Sequence, residues 1–310
     1  MKTSDSGVHT DPHALEELSD VASHEHAEVG PDGAVVGYSA GRTLRLGVEL
    51  RRQLKRRRTQ LLLGFVAILP FILVISFELG SSNPNRRSGG FVDLATASAP
   101  NFVVLALFVS GTFLLPMIVG LFFGDTIASE ASWSSLKYLL AIPVPRHRVL
   151  RQKAIVSGLL SAGALILLPA MSLIVGLIWY GAGDAISPTG DSVSFGQAVI
   201  AIALSTVYII LQLAWLAGLA LALSVSTDAP LGAVGGAVLA AILSQILDQI
   251  TALEDLRNYL PTHYAFSWMD LISTDIDWSN IASGMLSASI YGTVFFLIAG
   301  RRFATKDITS

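Results

Sequence analysis

The sequence alternates between long apolar runs and shorter polar stretches. Six runs are apolar enough for membrane-crossing helices, and they occupy residues 61–77, 102–123, 154–180, 198–225, 231–250 and 281–299. A helix needs about 20 mainly apolar residues to cross a bilayer. The pattern therefore predicts an all-α polytopic membrane protein with six transmembrane helices, kinked where Pro70, Pro116 and Pro169 lie inside them.

The composition agrees with this and excludes other classes of protein. Of the 310 residues, 52% are hydrophobic and 14% are charged, whereas a soluble domain carries roughly 25% charged residues. This deficit excludes a solvated globular protein, a disordered chain and a basic nucleic-acid binder, so no nucleic acid is expected as a partner. The chain has no cysteine, which excludes disulfides, thiolate metal sites and cysteine nucleophiles.

The basic residues set the predicted orientation. Seventeen of the 20 Lys and Arg residues precede the first run, follow the sixth, or lie between the second and the third. Cytoplasmic loops carry the excess of Lys and Arg in membrane proteins. We therefore expect a multi-pass protein of the cell membrane, with both termini and the 124–153 loop in the cytoplasm.

Two segments of different character precede the first run. Residues 1–37 are rich in acids, hold four of the six histidines, and are predicted to be a disordered cytoplasmic tail without a metal site. Residues 38–59 predict an amphipathic elbow helix that binds membrane lipid, with an orientation signal for the first span as the alternative. Its arginines include Arg51, Arg52, Arg56 and Arg58. At the other terminus, residues 301–310 are predicted to be a second cytoplasmic tail.

Residues 251–280 separate the fifth and sixth runs on the predicted outer side. They combine Leu with Tyr, Phe and Trp, which favour the membrane interface. We expect one or two short re-entrant helices here, broken at Pro261.

The predicted spans contain few groups that carry chemistry. They lack Lys, Arg, His and Glu, and their one acid is Asp248, near the outer end of the fifth span. Ion-coupled carriers, haem carriers and intramembrane hydrolases need such groups at depth, so these classes are disfavoured. Gln212 and Gln245 form a polar patch with Asp248, for substrate contact or, as we favour, interhelical hydrogen bonds. Gly232 and Gly236 permit close helix contact.

The loop at 124–153 reads GDTIASEASWSSLKYLLAIPVPRHRVLRQK. From Glu130 to Leu140 it predicts a short helix with Trp133, Leu136 and Leu140 on one face, ended by Pro143. Such a helix is attached at both ends to membrane spans, so it can transmit a movement of a soluble partner to the bundle. An ordinary amphipathic loop is the alternative.

This loop resembles that of the permease subunits of type-2 ABC exporters, the ABC-2 family. Their loop reads approximately E-x-x-x-G-T-h-x-x-L-h-x-x-P-V-x-R-x-x-h-h-x-x-K, where h is apolar. The residues that match in order and spacing are Glu130, Leu136, Leu139, Pro143, Val144, Arg146, Leu150 and Lys153. Ser134 and Ser135 replace the usual Gly-Thr, so the local turn can differ. The elbow, the six spans, the outer helices and the C-terminal RRFATKDI extend the resemblance over nearly the whole chain after residue 40.

The resemblance implies a half-transporter rather than an enzyme. Two copies, or one copy and a paralogue, would form the pathway, with spans one and five in contact. Two separate ABC ATP-binding subunits would hold ATP and Mg²⁺, and this chain would bind no cofactor; it also lacks a GxxxxGK[ST] phosphate loop. The residues expected to couple to the ATPase are Glu130, Trp133, Ser134, Leu136, Lys137, Leu140, Pro143 and Arg146. The candidates for the dimer contact or the pathway are Gly232, Gly236, Gln212, Gln245 and Asp248.

The expected function is therefore that of an ATP-driven export permease. Its pathway residues are apolar or weakly polar, which favours a drug, an antibiotic or a lipid-like amphiphile as the substrate. The alternative is a non-transporting membrane anchor or sensor that recruits an ATPase. A polytopic enzyme is disfavoured because the spans offer no base, nucleophile or metal set.

Overall fold

The structure is a computed structural model that describes residues 45–81, 91–132, 145–186, 192–273 and 276–306. Its α-helices are α1 (Leu46–Leu54), α2 (Arg57–Ser81), α3 (Phe91–Ala95), α4 (Ala99–Gly111), α5 (Leu114–Ser132), α6 (Arg146–Trp179), α7 (Phe195–Gln212), α8 (Ala214–Ser226), α9 (Pro230–Asp248) and α10 (Trp278–Thr305). Two 3₁₀ helices, Thr251–Tyr259 and Ser267–Ile272, lie between α9 and α10. Two-residue strands, β1 (Ala185–Ile186) and β2 (Ser192–Val193), pair antiparallel before α7.

Six helical segments are long and apolar enough to cross a membrane. They are Arg57–Gly80, Leu114–Ser132, Arg146–Trp179, Phe195–Ser226, Pro230–Asp248 and Trp278–Thr305. This confirms the predicted class, an all-α polytopic membrane protein with six spans. The β1–β2 pair is too short to change it.

The second predicted span, 102–123, is broken into α4 and α5. Pro116 has no N–H, so the Thr112 carbonyl cannot receive the usual bond from the residue four positions later. The side-chain amide of Gln245, on α9, donates to that carbonyl at 3.0 Å instead. After the break, α5 continues to Ser132, so the residues that follow 123 are helical and not a loop.

The helices at the basic end of the bundle also differ from the predicted bounds. This end is where α1, the end of α5 and the start of α6 meet. The predicted elbow, 38–59, contains one described helix, α1, which stops at Leu54; α2 begins at Arg57 after a turn at Lys55 and Arg56. Arg58 therefore belongs to the first span. The helix α6 begins at Arg146, well before the predicted start at 154, while residues 1–44 and 307–310 lie outside the described ranges.

Close helix packing at the centre depends on glycines. A Cβ on Gly218 of α8 would lie 2.9 Å from the Gly292 carbonyl oxygen of α10, and one on Gly124 of α5 would lie 3.0 Å from the Val234 amide nitrogen of α9. By contrast, a Cβ on Gly236 would meet only a Leu223 side-chain methyl at 3.2 Å. The closest approach of α9 to α5 therefore depends on a glycine of span two, which the sequence reading did not single out.

We expect Gly218→Val to separate α8 from α10 and to destabilise the protein by about 1–3 kcal/mol, the usual cost of overpacking. The neighbouring atom is backbone and cannot rotate away. The loss is measured as a lower thermal midpoint in fluorescence-detected size-exclusion chromatography. Gly64→Val is the matched control, because a Cβ there would meet nothing within 4 Å; equal midpoints for the two variants would contradict the packing.

Candidate functional site

Four charged side chains from three helices meet at the basic end of the bundle. Arg52 Nη2 on α1 lies 2.8 Å from Glu49 Oε1 and 2.8 Å from Glu130 Oε1 of α5. Lys153 Nζ, on α6, lies 2.9 Å from Glu49 Oε1 and also pairs with Glu130. We call these residues the four-charge cluster. Cations and carboxylates alternate in it, so its formal charges cancel.

The centre of the four-charge cluster is buried. The side chains of Lys153 and Glu130 are 3% and 8% exposed, while that of Arg52 is 50% exposed. Burial alone would raise the pKa of Glu49, but hydrogen bonds from Arg52 and Lys153 and the Lys153 charge outweigh it and lower the pKa to about 2. Hydrogen bonds to Glu49 and Glu130, together with their charges, raise the pKa of Arg52. Glu49 and Arg52 are therefore both charged at neutral pH, and each buried charge of the cluster lies beside one of opposite sign.

A second ion pair lies beside this cluster. Arg58, in the first turn of α2, pairs with both carboxylate oxygens of Asp125 on α5. Arg56 Nη1 lies 3.6 Å from Asp125 Oδ2. Through these pairs, α5 contacts both the turn that precedes the first span and the start of that span.

The start of α6 is anchored to the end of α10. Arg146 Nη1 donates to the backbone carbonyls of Ala304 and Lys306, each at 3.0 Å. Lys306 Nζ in turn lies 2.7 Å from Asp228 Oδ1 and 3.0 Å from the Val225 carbonyl oxygen, between α8 and α9. Because a cation at a helix C-terminus also favours the helix dipole, Arg146 both caps α10 and holds α6 to it.

Both stems of segment 133–144 therefore carry these anchors. Glu130 lies near the end of α5, before the segment, and Arg146 begins α6 directly after it. Of the residues predicted to couple to an ATPase, Trp133, Ser134, Leu136, Lys137, Leu140 and Pro143 lie outside the described residues.

Glu130 was expected, from the family resemblance, to couple to the ATPase. Its carboxylate is buried and paired with Arg52 and Lys153. A group committed to an internal ion pair is suited to hold the stem in position and not to dock a partner. Among the predicted elbow arginines, Arg52, Arg56 and Arg58 face α5 carboxylates, and Arg51 is exposed.

The sequence reading missed Asp125 and Lys153 as buried charges. It ended the second span at 123 and began the third at 154, so both residues fell in a loop. The available signal was the spacing: two carboxylates follow the span within one continuous helix, and arginines precede the first span. The predicted spans hold no Lys, Arg, His or Glu, but the helices extend beyond them, and α2, α5, α6 and α10 include such residues outside the predicted bounds.

The predicted pathway residues lie in a different part of the bundle. Gln212 Nε2 donates to the Pro261 carbonyl at 2.7 Å, and Asp248 Oδ1 lies 2.6 Å from His263 Nδ1. Gln212 and Gln245 also line a cavity of about 20 Å³ with Trp215 and Trp268, large enough for one water molecule.

These contacts attach the segment between the two 3₁₀ helices to the spans. Ser244 and Thr262 share a hydrogen bond at 2.6 Å, and Tyr208 Oη donates to the Tyr264 carbonyl at 2.7 Å. Gly232 and Gly236 lie on α9, away from the hydrogen bonds that the side chains of Gln212 and Gln245 make.

Comparison with known proteins identifies the family. A search of curated proteins found no match to this chain. The family model described as ABC-2 family transporter protein matches residues 51–227, which is more than half of the chain. The matched region begins within α1 and runs to the residue after α8; it includes Arg52, Glu130 and Lys153 of the four-charge cluster, whereas Glu49 lies before it. The chain therefore belongs to the ABC-2 family of transporter proteins and is a multi-pass membrane permease component of an ABC transporter.

Proposed function

We propose that the chain is the membrane subunit of an ATP-driven exporter. Two permease copies, or this chain and a paralogue, form the pathway, and two ATP-binding subunits dock on the cytoplasmic side. The anchored stems of segment 133–144 carry this proposal, because they connect the expected docking segment to helices throughout the bundle. Both termini lie in the cytoplasm, and the membrane is the plasma membrane.

The mechanism follows from the anchors. ATP binding and hydrolysis in the partner, with Mg²⁺, supply the motion. A push on segment 133–144 reaches α5 and α6 directly, and the buried Glu130–Lys153 pair makes these two stems move together. Arg52 and Glu49 extend the motion to α1, and Arg146 extends it to α10. Trp133, Leu136 and Leu140 form the docking face in this proposal, and Glu130 and Arg146 position it.

The substrate proposed is a drug, an antibiotic or a lipid-like amphiphile. Its support is the apolar exterior of α2, α9 and α10: Leu61, Leu231 and Leu286 are all exposed. The four-charge cluster lies at one end of the bundle, and its charges are paired with one another. An amphiphile can leave such a surface toward the lipid or the outside without a charged binding site.

The test is to purify the tagged full chain in mild detergent and to identify co-purifying proteins by mass spectrometry. We expect an ATP-binding subunit in about equal amount and, after reconstitution, transport of an amphiphile that requires ATP. Transport that continues without the ATPase contradicts the proposal. Co-purification without any ATP-dependent accumulation favours the anchor or sensor instead.

A further inference from the structure

Arg56 is a partly buried cation whose guanidinium donors are not used by any residue that the structure describes. Its side chain is 25% exposed, and its closest carboxylate oxygen, Asp125 Oδ2, is 3.6 Å from Nη1, beyond hydrogen-bond distance. A guanidinium carries five N–H donors. No residue that the structure describes accepts a hydrogen bond from the Arg56 guanidinium.

Asp125 offsets the charge of Arg56 only in part, because its carboxylate is already engaged. Arg58 binds both of its oxygens, so two guanidiniums share one carboxylate. Burial, and repulsion from Arg58 and Arg52, lower the pKa of Arg56. The nearby acids Glu49 and Glu130 are engaged in the four-charge cluster. An added anion would therefore offset an unfavourable positive charge.

The backbone next to Arg56 also favours an anion. Arg56 ends the turn before α2, a helix of 25 residues. The amide of Gln60 bonds to the Arg56 carbonyl at 3.1 Å, and the amides before it belong to the first helical turn, where intrahelical acceptors are absent. Helix N-termini bind phosphate groups through such amides and the helix dipole.

The surroundings indicate that the anion carries acyl chains. Immediately along α2 from Arg56, Leu61 and Phe65 are 74% and 48% exposed, and they begin the first membrane span. The described cations Arg51, Lys55 and Arg57 are exposed around the same turn. A positive site at the level where a span enters the bilayer matches the position of lipid phosphates.

We propose that Arg56, Arg58 and the N-terminus of α2 bind the phosphate of an anionic phospholipid headgroup. The site requires only that the chain is a membrane protein, so it stands or falls separately from transport. The two Nη groups of Arg58 stay on Asp125, so Arg58 contributes positive charge to the site, while the lipid phosphate takes the donors of Arg56. The bound lipid holds the turn between α1 and α2 at the bilayer surface.

The test uses the full chain in detergent micelles, titrated with phosphatidylglycerol or phosphatidylcholine and followed by native mass spectrometry. Arg56→Gln should weaken phosphatidylglycerol binding about tenfold, the effect of losing about 1.4 kcal/mol of charged hydrogen bonding. Arg51→Gln is the matched control, because it removes the same charge from an exposed side chain of α1 and should leave binding close to that of the parent. Arg56→Lys keeps the charge but loses the planar guanidinium, so its affinity for phosphatidylglycerol should lie between those of Arg56→Gln and the parent. If Arg56→Gln does not fold, Arg56→Lys replaces it in the test.

Three results would overturn the proposal. Equal weakening by Arg56→Gln and Arg51→Gln would mean general electrostatic attraction and no site. Displacement of the lipid by inorganic phosphate at matched concentration would assign the site to a soluble anion. Phosphatidylglycerol binding that appears only after deletion of residues 2–37 would mean that the acidic N-terminal residues occupy Arg56.

Discussion

Replacing Lys153 by Met is expected to destabilise the protein by about 3–5 kcal/mol, because it leaves buried carboxylates without their cation. The Lys153 side chain is 3% exposed and contacts both Glu49 and Glu130. Arg52 remains near both acids but is half exposed, so it compensates only in part. For a chain of this size we expect a fall of roughly 10 °C in the thermal midpoint.

A double variant separates the cost of an unpaired charge from the cost of a lost contact. In Glu130→Gln with Lys153→Met, the pair is neutralised together, and Glu49 keeps Arg52 as its partner. Neutralising both members of a buried pair is often close to neutral for stability. The double variant should therefore recover most of the midpoint lost in Lys153→Met. Arg151→Gln, an exposed cation on the same helix, is the control and should not change the midpoint.

The same variants test coupling. If the pair makes α5 and α6 move together, the double variant will fold yet transport less substrate for each ATP hydrolysed. Normal transport per ATP in the folded double variant would remove the pair from the coupling route. A midpoint for Lys153→Met equal to that of Arg151→Gln would contradict the buried cluster itself.

The six spans could be predicted because a bilayer imposes a length and a composition that a single sequence displays. The ends of the spans could not be predicted, since the sequence does not show whether a charged residue is solvated or paired. Asp125 and Lys153 lie just outside the predicted spans, and only their contacts with Arg58 and Glu49 reveal them as interior residues. The break at Thr112 is similar: Pro116 is visible in the sequence, but the Gln245 amide that stabilises the free carbonyl comes from a distant helix.

In the loop at 124–153, too, one part could be predicted from the sequence and another could not. The match to the family pattern selected Glu130, Arg146 and Lys153, and all three make long-range contacts that attach the stems. Spacing gave their position but not their role. Glu130 was expected to couple to the ATPase because of the family resemblance, and its burial follows from the opposing helices α1 and α6.

Arg146→Gln is expected to uncouple the end of α10 from segment 133–144 while leaving the protein folded. The guanidinium makes two 3.0 Å bonds to the last carbonyls of α10, and the site is partly exposed, so the loss of stability is small. Each hydrogen bond lost from a charged group is worth about 1.5 kcal/mol, and losing both weakens the attachment of α6 to α10, so transport per ATP hydrolysed should fall. Arg151→Gln on the same helix serves as the control and should transport as the parent does.

The absence of native cysteine makes the motion itself measurable. Spin labels at His147→Cys and Arg301→Cys, both exposed positions, report the separation of α6 and α10 in the complex with its ATPase. If Arg146 joins the two helices, the distribution of distances between the two labels stays narrow in the parent throughout the ATP cycle. In Arg146→Gln the same distribution becomes broad. A distribution that is unchanged by the substitution would mean that α10 follows α6 by packing alone, and the loop would then drive the last span without its arginine.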